Sequence, residues 1–207
     1  MLRTALASLA FGLLGWHSAA WLTRDFQVWT AEGARRLTVI DQPVHAPAAT
    51  LAGPQMTGRS LPDWLTGPGQ ITIVDFVYTR CVTVCSALGS EFQHLQKALA
   101  ADPSVRLLSI SFDPAHDDAA QLQQYANRWA ADPGAWRVVT VPDAGELKRL
   151  LDAFQVVVIS DGLGGYEHNA ALLIVDGRGR LVRIFDYTEL DAALAYARSI
   201  AQREAAG

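Results

Sequence analysis

The first 23 residues stand apart from the rest of the chain. No charged side chain occurs from Thr4 to Thr23, with Arg3 before the run and Arg24 after it. About 20 apolar residues suffice to span a bilayer. Ser18-Ala19-Ala20 also resembles a small-residue cleavage site, so a secretory signal is the alternative. The run is longer than the ~7–15-residue core of such a signal, which favours an uncleaved anchor. Residues 24–69 carry Pro43, Pro47, Pro54, Pro62 and Pro68 and read as a linker and irregular lead-in.

From residue 70 the pattern becomes regular. Ile71 to Tyr78 is β-branched and aromatic and predicts a buried strand. Val84, Leu88, Phe92, Leu95 and Leu99 recur at helical spacing. Val105–Phe112 predicts a second strand, and Leu122, Tyr125 and Trp129 a second helix that stops before Pro133-Gly134. Trp136–Val141 predicts a third strand. Asp143 and Glu146 have capping-box spacing ahead of a helix with Leu147, Leu150, Leu151 and Phe154 on its apolar face. Ala170–Asp176 and Leu181–Phe185 flank Gly177-Arg178-Gly179, which predicts a hairpin. Ala192–Ile200 predicts a closing helix. Strands alternating with helices imply α/β layering, with the first strands parallel and joined by right-handed crossovers.

Composition narrows the function classes. The 207 residues are 50% hydrophobic and 18% charged, with a net charge of −4, as expected of one globular domain with appendages. The absence of any basic run argues against a nucleic-acid partner. Arg3 alone precedes the apolar run and Arg35 and Arg36 follow it, a weak orientation signal. The arginine content is too low for a mitochondrial presequence. Both readings of the N-terminus export the domain, and a bacterial inner-membrane anchor with a periplasmic domain is the expectation.

The two cysteines, Cys81 and Cys85, are four residues apart. Disulfide frameworks space cysteines widely; a close pair points to redox or metal chemistry. They lie where a strand ends and a helix begins. Unsatisfied N–H groups there favour the thiolate, and thiolates are soft ligands for Cu(I) and zinc. The alternative is a pair of small buried hydrophobes. Of the five histidines, His17 lies in the apolar run and His45 in the lead-in. His94 is nine residues after Cys85, about 180° around a helix, and should face away from the thiols. His116 reads as a polar loop residue. His168 precedes the Ala170 strand and follows Gly162-Leu163-Gly164-Gly165; alone, it is equally a surface histidine.

Three blocks change that picture. Asp75 to Cys85 contains Tyr78-Thr79-Arg80-Cys81 and a C-x-x-x-C pair. Ser109-Ile110-Ser111-Phe112-Asp113-Pro114 is followed by Asp117, Leu122 and Tyr125-Ala126. Tyr166-Glu167-His168-Asn169 precedes the Leu172–Asp176 strand. In this order they resemble the Sco/SenC family over roughly residues 71–203. The resemblance implies a thioredoxin-like three-layer α/β sandwich with a mixed central sheet. It also implies copper, as Cu(I) or Cu(II), bound by Cys81, Cys85 and His168, with Cys81 and Cys85 also able to form a redox-active disulfide. Asp113 matches a family acidic position and would support the ligands from behind; the alternative is a turn residue before Pro114.

The implied role is assembly of a copper site in cytochrome c oxidase, as metallochaperone or thiol reductant rather than enzyme. The partner would be the copper-bearing subunit or another copper chaperone. An exported thiol–disulfide oxidoreductase is the alternative, and a protein-interaction module with a mere disulfide a third. Two thiolates and one imidazole suit Cu(I), whereas structural zinc wants a fourth protein ligand, for which no candidate stands out. The chain departs from the family pattern at Val82 and Ser86, where proline usually follows each cysteine, and in the single residue between Tyr166 and His168.

Overall fold

The computed structural model describes residues 2–54, 56–81 and 84–206, without the side chains of 84–86. The chain divides into two compact units, Met1–Thr38 and Val39–Gly207. In the first, helix α1 (Leu2–Leu22) buries none of its residues and is long and apolar enough to cross a membrane. A signal sequence satisfies the same description. The helix ends because Arg24, Asp25 and Phe26 all take positive φ (46°, 57° and 63°), a left-handed conformation that L-residues cannot propagate as a helix. Helix α2 (Ala31–Asp41) begins in this unit, with Thr30 accepting from Gly33 N–H at 3.0 Å.

The second unit opens with strands β1 (Val44–His45), β2 (Thr50–Gly53) and β3 (Met56–Ser60) and helix α3 (Leu61–Leu65). Then come β4 (Ile71–Val77), α4 (Val84–Ala98), β5 (Val105–Ser111), α5 (Ala119–Arg128), β6 (Trp136–Thr140) and α6 (Ala144–Ala153). A small hairpin, β7 (Val158–Ser160) with β8 (Tyr166–His168), precedes β9 (Ala171–Val175), β10 (Arg180–Asp186) and α7 (Leu190–Ala205). The main sheet has the order β1-β10-β9-β4-β5-β6-β2-β3. Strands β4, β5 and β6 run parallel, and β9 returns antiparallel to β4. This is the mixed central sheet expected of the thioredoxin-like architecture.

Register decides which face each residue serves. Ile73 lies opposite Leu107, and Leu107 opposite Trp136, so these three and their alternate neighbours Asp75, Ser109 and Val138 share one face. Trp136 meets Phe92 of α4 at 5.5 Å between ring centroids, which puts α4 on that face. Gln93 donates to the Trp129 carbonyl at the end of α5, and Arg198 of α7 to the Ala98 carbonyl at the end of α4. Helices α4, α5 and α7 therefore form one layer. On the other face Phe76 packs edge-on against Phe154, the C-cap of α6, and Trp64 of α3 lies beneath Arg106 of β5. Three layers result, as α/β burial on both sheet faces requires.

The stretch 24–69 holds more regular structure than its prolines suggest. Leu51, Leu61 and Leu65 are fully buried there, and such burial outweighs weak local propensity. Pro62 costs nothing because it occupies the first turn of α3, where no N–H partner is needed. The Asp143/Glu146 capping box is half formed: Asp143 accepts from Glu146 N–H at 2.8 Å, but the Glu146 carboxylate reaches Thr50 N–H at 2.7 Å instead. The hairpin at Gly177-Arg178-Gly179 forms as expected. Gly179 has φ +72°, and Asp176 accepts from the N–H groups of Arg178 and Arg180.

Candidate metal centre

The cysteine loop leaves the carboxyl end of β4, where open α/β sheets place their ligands. Tyr78, Thr79 and Arg80 carry the chain from β4 to Cys81, which is buried and donates its N–H to the Tyr78 carbonyl at 3.2 Å. Thr79 is clamped from the neighbouring strand tip. Asp117 accepts from Thr79 N–H (2.9 Å) and hydroxyl (2.6 Å) and also from the Ser111 hydroxyl (2.5 Å). Cys85 occupies the first turn of α4. Its side chain, Val82 and the Ser86 side chain lie outside the described residues. Among the described residues no three His, Cys, Asp or Glu stand close enough to hold a metal ion.

His168 ends β8, opposite Val158 of β7. Its ring stacks edge-on against Phe112 at 5.1 Å. Phe112 also meets Tyr78 (5.4 Å) and Tyr166 (5.6 Å), and Tyr78 meets Tyr166 at 5.3 Å. The Tyr78 hydroxyl accepts from Tyr166 N–H at 3.2 Å. One aromatic cluster thus joins the tips of β4 and β5 to β8, with the Cys81 loop leaving from one side of it and His168 packed on another. Sequence reasoning places His168 in a loop; it ends a short strand, and its ring is half-buried. Burial pushes its imidazole down to about 4, so at neutral pH the ring is uncharged and keeps a lone pair for ligation.

Asp113 is buried, and its carboxylate accepts from the Arg80 guanidinium at 2.8 Å. His116 Nδ1 lies 2.9 Å from the same carboxylate. Asp113 therefore braces the residue immediately before Cys81. His94 is exposed, 3.7 Å from Glu91, and His45 and His17 are exposed as well. Neither the Asp117 clamp nor the Tyr78–Phe112–Tyr166 cluster is foreseen as part of the site. The clamp spans 38 residues of sequence, so no local spacing links Thr79 to Asp117. Beneath the loop, on the α4 face, Asp75 is fully buried, and burial pushes its carboxyl up to about 7, opposed in part by the Ser109 hydroxyl.

Residues 65–202 match the SCO1/SenC family model. The SCO1 protein homolog of Bacillus subtilis (strain 168) is 27% identical over 124 residues, 58% of this chain and 64% of that protein. The match thus spans slightly less than two thirds of the relative's length. Among solved structures, BsSco, a member of the Sco family of cytochrome c oxidase assembly proteins in which a disulfide switch was identified, superposes with a TM-score of 0.67 at 23% identity, covering 78% of this chain and 95% of that one. Bradyrhizobium japonicum ScoI with copper bound gives 0.62 at 23% identity, covering 75% and 99%. These likenesses carry the fold. With the family model covering residues 65–202 of 207, the chain belongs to the SCO1/SenC family.

Proposed function

We propose that this chain is a copper-binding assembly protein for a copper site of cytochrome c oxidase, with Cys81, Cys85 and His168 as the ligands. The observation that carries the reading is the aromatic cluster: it fixes an uncharged His168 against Phe112, on the strand tips from which the Cys81 loop departs. Two thiolates with a neutral imidazole form a soft set suited to Cu(I), and with Cu(II) the two thiolates balance the metal's charge. Three protein ligands leave room for exchange, which a donor of copper needs. Asp113 supports the site indirectly by orienting Arg80 beside Cys81. Copper in the Bradyrhizobium japonicum ScoI structure supports the choice of metal.

The same thiols support a second reading, thiol–disulfide exchange, favoured by the disulfide switch of BsSco. Oxidation of Cys81 and Cys85 to a disulfide releases two electrons and two protons to a disulfide client, which is reduced to its dithiol. In either reading α1 anchors the chain in a bacterial inner membrane and the second unit lies in the periplasm, facing the copper-bearing oxidase subunit or another copper chaperone.

The test separates the readings at His168. The reduced full chain in neutral detergent should bind one copper, with a thiolate-to-Cu(II) charge-transfer band. His168→Ala should weaken Cu(II) by about tenfold or more and Cu(I) less, because two thiolates alone can hold Cu(I). Normal oxidase activity of His168→Ala cells in low copper, beside failure of the Cys81→Ala, Cys85→Ala double variant, would replace copper delivery with thiol exchange.

A further inference from the structure

At the opposite end of the strands from the cysteine loop, a cleft of about 940 Å³ opens beside the first residues of β5 and β6. Such a volume falls in the range of small-molecule sites. Its walls carry Arg59 from β3, Arg106 from β5, Arg137 from β6 and Lys97 from α4. Register explains why arginines converge. Arg137 lies opposite Leu108, two residues along β5 from Arg106, so Arg106 and Arg137 project from the same sheet face.

Arg106 is held, not loose. Its guanidinium lies 3.9 Å from the centre of the Trp64 ring, its Nε donates to the Thr72 hydroxyl at 3.1 Å, and a terminal nitrogen donates to the Trp64 carbonyl. None of these partners carries negative charge. Among the described residues no carboxylate forms an ion pair with Arg59 or Arg106. The acids on the cleft wall are engaged elsewhere: Asp102 with Arg198 and the Ser104 hydroxyl, Asp132 with Gly134 N–H. Burial and the neighbouring Arg59 charge together push Arg106 down to about 10. Arg59 and Arg106 are like charges in one cleft, neither of them ion-paired among the described residues, and their repulsion raises the energy of the empty site. A bound anion relieves that cost.

We propose that this cleft binds a phosphate-bearing anion through Arg59, Arg106 and Arg137. Guanidinium forks match phosphate oxygens in pairs, and Trp64, beneath Arg106, holds that guanidinium in place. The site is separate from the cysteine loop and independent of the copper reading. Two sources share the chemistry: the headgroup of an anionic phospholipid and a soluble phosphorylated molecule.

Inorganic pyrophosphate is the probe, titrated by calorimetry into the metal-free full chain in neutral dodecyl maltoside. One saturable site per chain is expected, and Arg59→Gln with Arg106→Gln should weaken it by about tenfold or more. Arg59 is exposed, so Arg59→Gln alone, expected to weaken binding about threefold, keeps the test open if the double variant fails to fold. Micelles doped with phosphatidylglycerol, but not phosphatidylcholine, should compete with pyrophosphate if the source is a headgroup. Equal binding in both micelles assigns the site to a soluble phosphate. Absence of saturable binding, or an affinity unchanged by Arg59→Gln, overturns the proposal.

Discussion

Asp117 accepts both the backbone N–H and the hydroxyl of Thr79, at 2.9 and 2.6 Å, from a fully buried position. Thr79 stands two residues before Cys81, and Ser111, the third donor to Asp117, ends β5. The carboxylate therefore ties the cysteine loop to the neighbouring strand tip. The Arg80–Asp113 pair adds a second tie one residue closer to the cysteine.

Replacement of Asp117 by Ala leaves three donors unpaired, the part-buried N–H and hydroxyl of Thr79 and the buried hydroxyl of Ser111. Each unsatisfied group costs about 1–3 kcal/mol, so Asp117→Ala should lose about 3 kcal/mol in urea denaturation. Asp117→Asn keeps one acceptor oxygen and should lose about half as much. Cys81 should also be alkylated faster in the Ala variant at denaturant concentrations where the fold persists. An unchanged alkylation rate would mean that the loop is held by something other than Asp117.

Gly89 lies inside α4, where glycine ordinarily weakens a helix by about 1 kcal/mol relative to alanine. Its reason is Trp129: a Cβ at residue 89 would come within 2.3 Å of an indole ring atom. Gly89→Ala should therefore destabilise by about 1–3 kcal/mol, the range for overpacking. In a Trp129→Ala background the same change should become neutral or stabilising, as helix propensity then acts alone. Thermal melts of the four proteins decide it; a Gly89→Ala cost that survives in the Trp129→Ala background refutes the packing explanation.

What was legible in the sequence follows from how local each signal is. Strands β4 and β5 show as β-branched runs because both faces are covered, and α4 shows as a helical stripe because one face packs on the sheet. The pair at Cys81 and Cys85 is visible as a spacing. By contrast, β2 and β3 acquire their strand form from pairing with each other and with β6, which no local pattern encodes. The β7–β8 hairpin is hidden because Val157, Ile159 and Leu163 are exposed apolar residues around a glycine-rich turn. Its order comes from the distant Tyr78 hydroxyl, 88 residues away. The arginine cleft is likewise assembled from three strands and carries no contiguous basic run.

Two helix caps leave no mark in the sequence because they lack glycine. Ala130 and Gln155 adopt φ +50° and +54°. Each follows a helix cap, and each forms the paired 5→2 and 6→1 bonds of a Schellman motif. Ala130 N–H meets the Asn127 carbonyl and Ala131 N–H the Ala126 carbonyl; Gln155 N–H meets Asp152 and Val156 N–H meets Leu151. A left-handed conformation costs a non-glycine residue about 1 kcal/mol. Gln155→Gly should therefore raise stability by up to about 1 kcal/mol, with Ala130→Gly similar. A loss of stability in both variants would show that unfolded-chain entropy outweighs the relief of strain.

The buried Asp75 gives a pH test with a definite sign. Burial raises its folded-state pKa from the ordinary 3.8 to about 7. Below pH 4 the carboxyl is protonated in both folded and unfolded chains and has no effect on their balance. Between about 4 and 7 the unfolded chain loses the proton while the folded chain retains it, so folding becomes less favourable as pH rises. Above 7 the penalty is constant, and three units at 1.36 kcal/mol each bound it at about 4 kcal/mol. Asp75→Asn removes the ionisation. The variant should match the parent near pH 4 and exceed it increasingly up to pH 7.5, by at most that amount. His168, lowered to about 4 from 6.5, acts in the opposite direction: it costs stability as pH falls from 6.5 towards 4. That contribution is common to parent and variant and cancels in their difference. Urea midpoints at half-unit intervals from pH 4 to 8.5 measure the difference directly. A difference that does not vary with pH would mean that Asp75 is already ionised in the folded protein, with a counter-charge or water supplying the solvation that its burial removes.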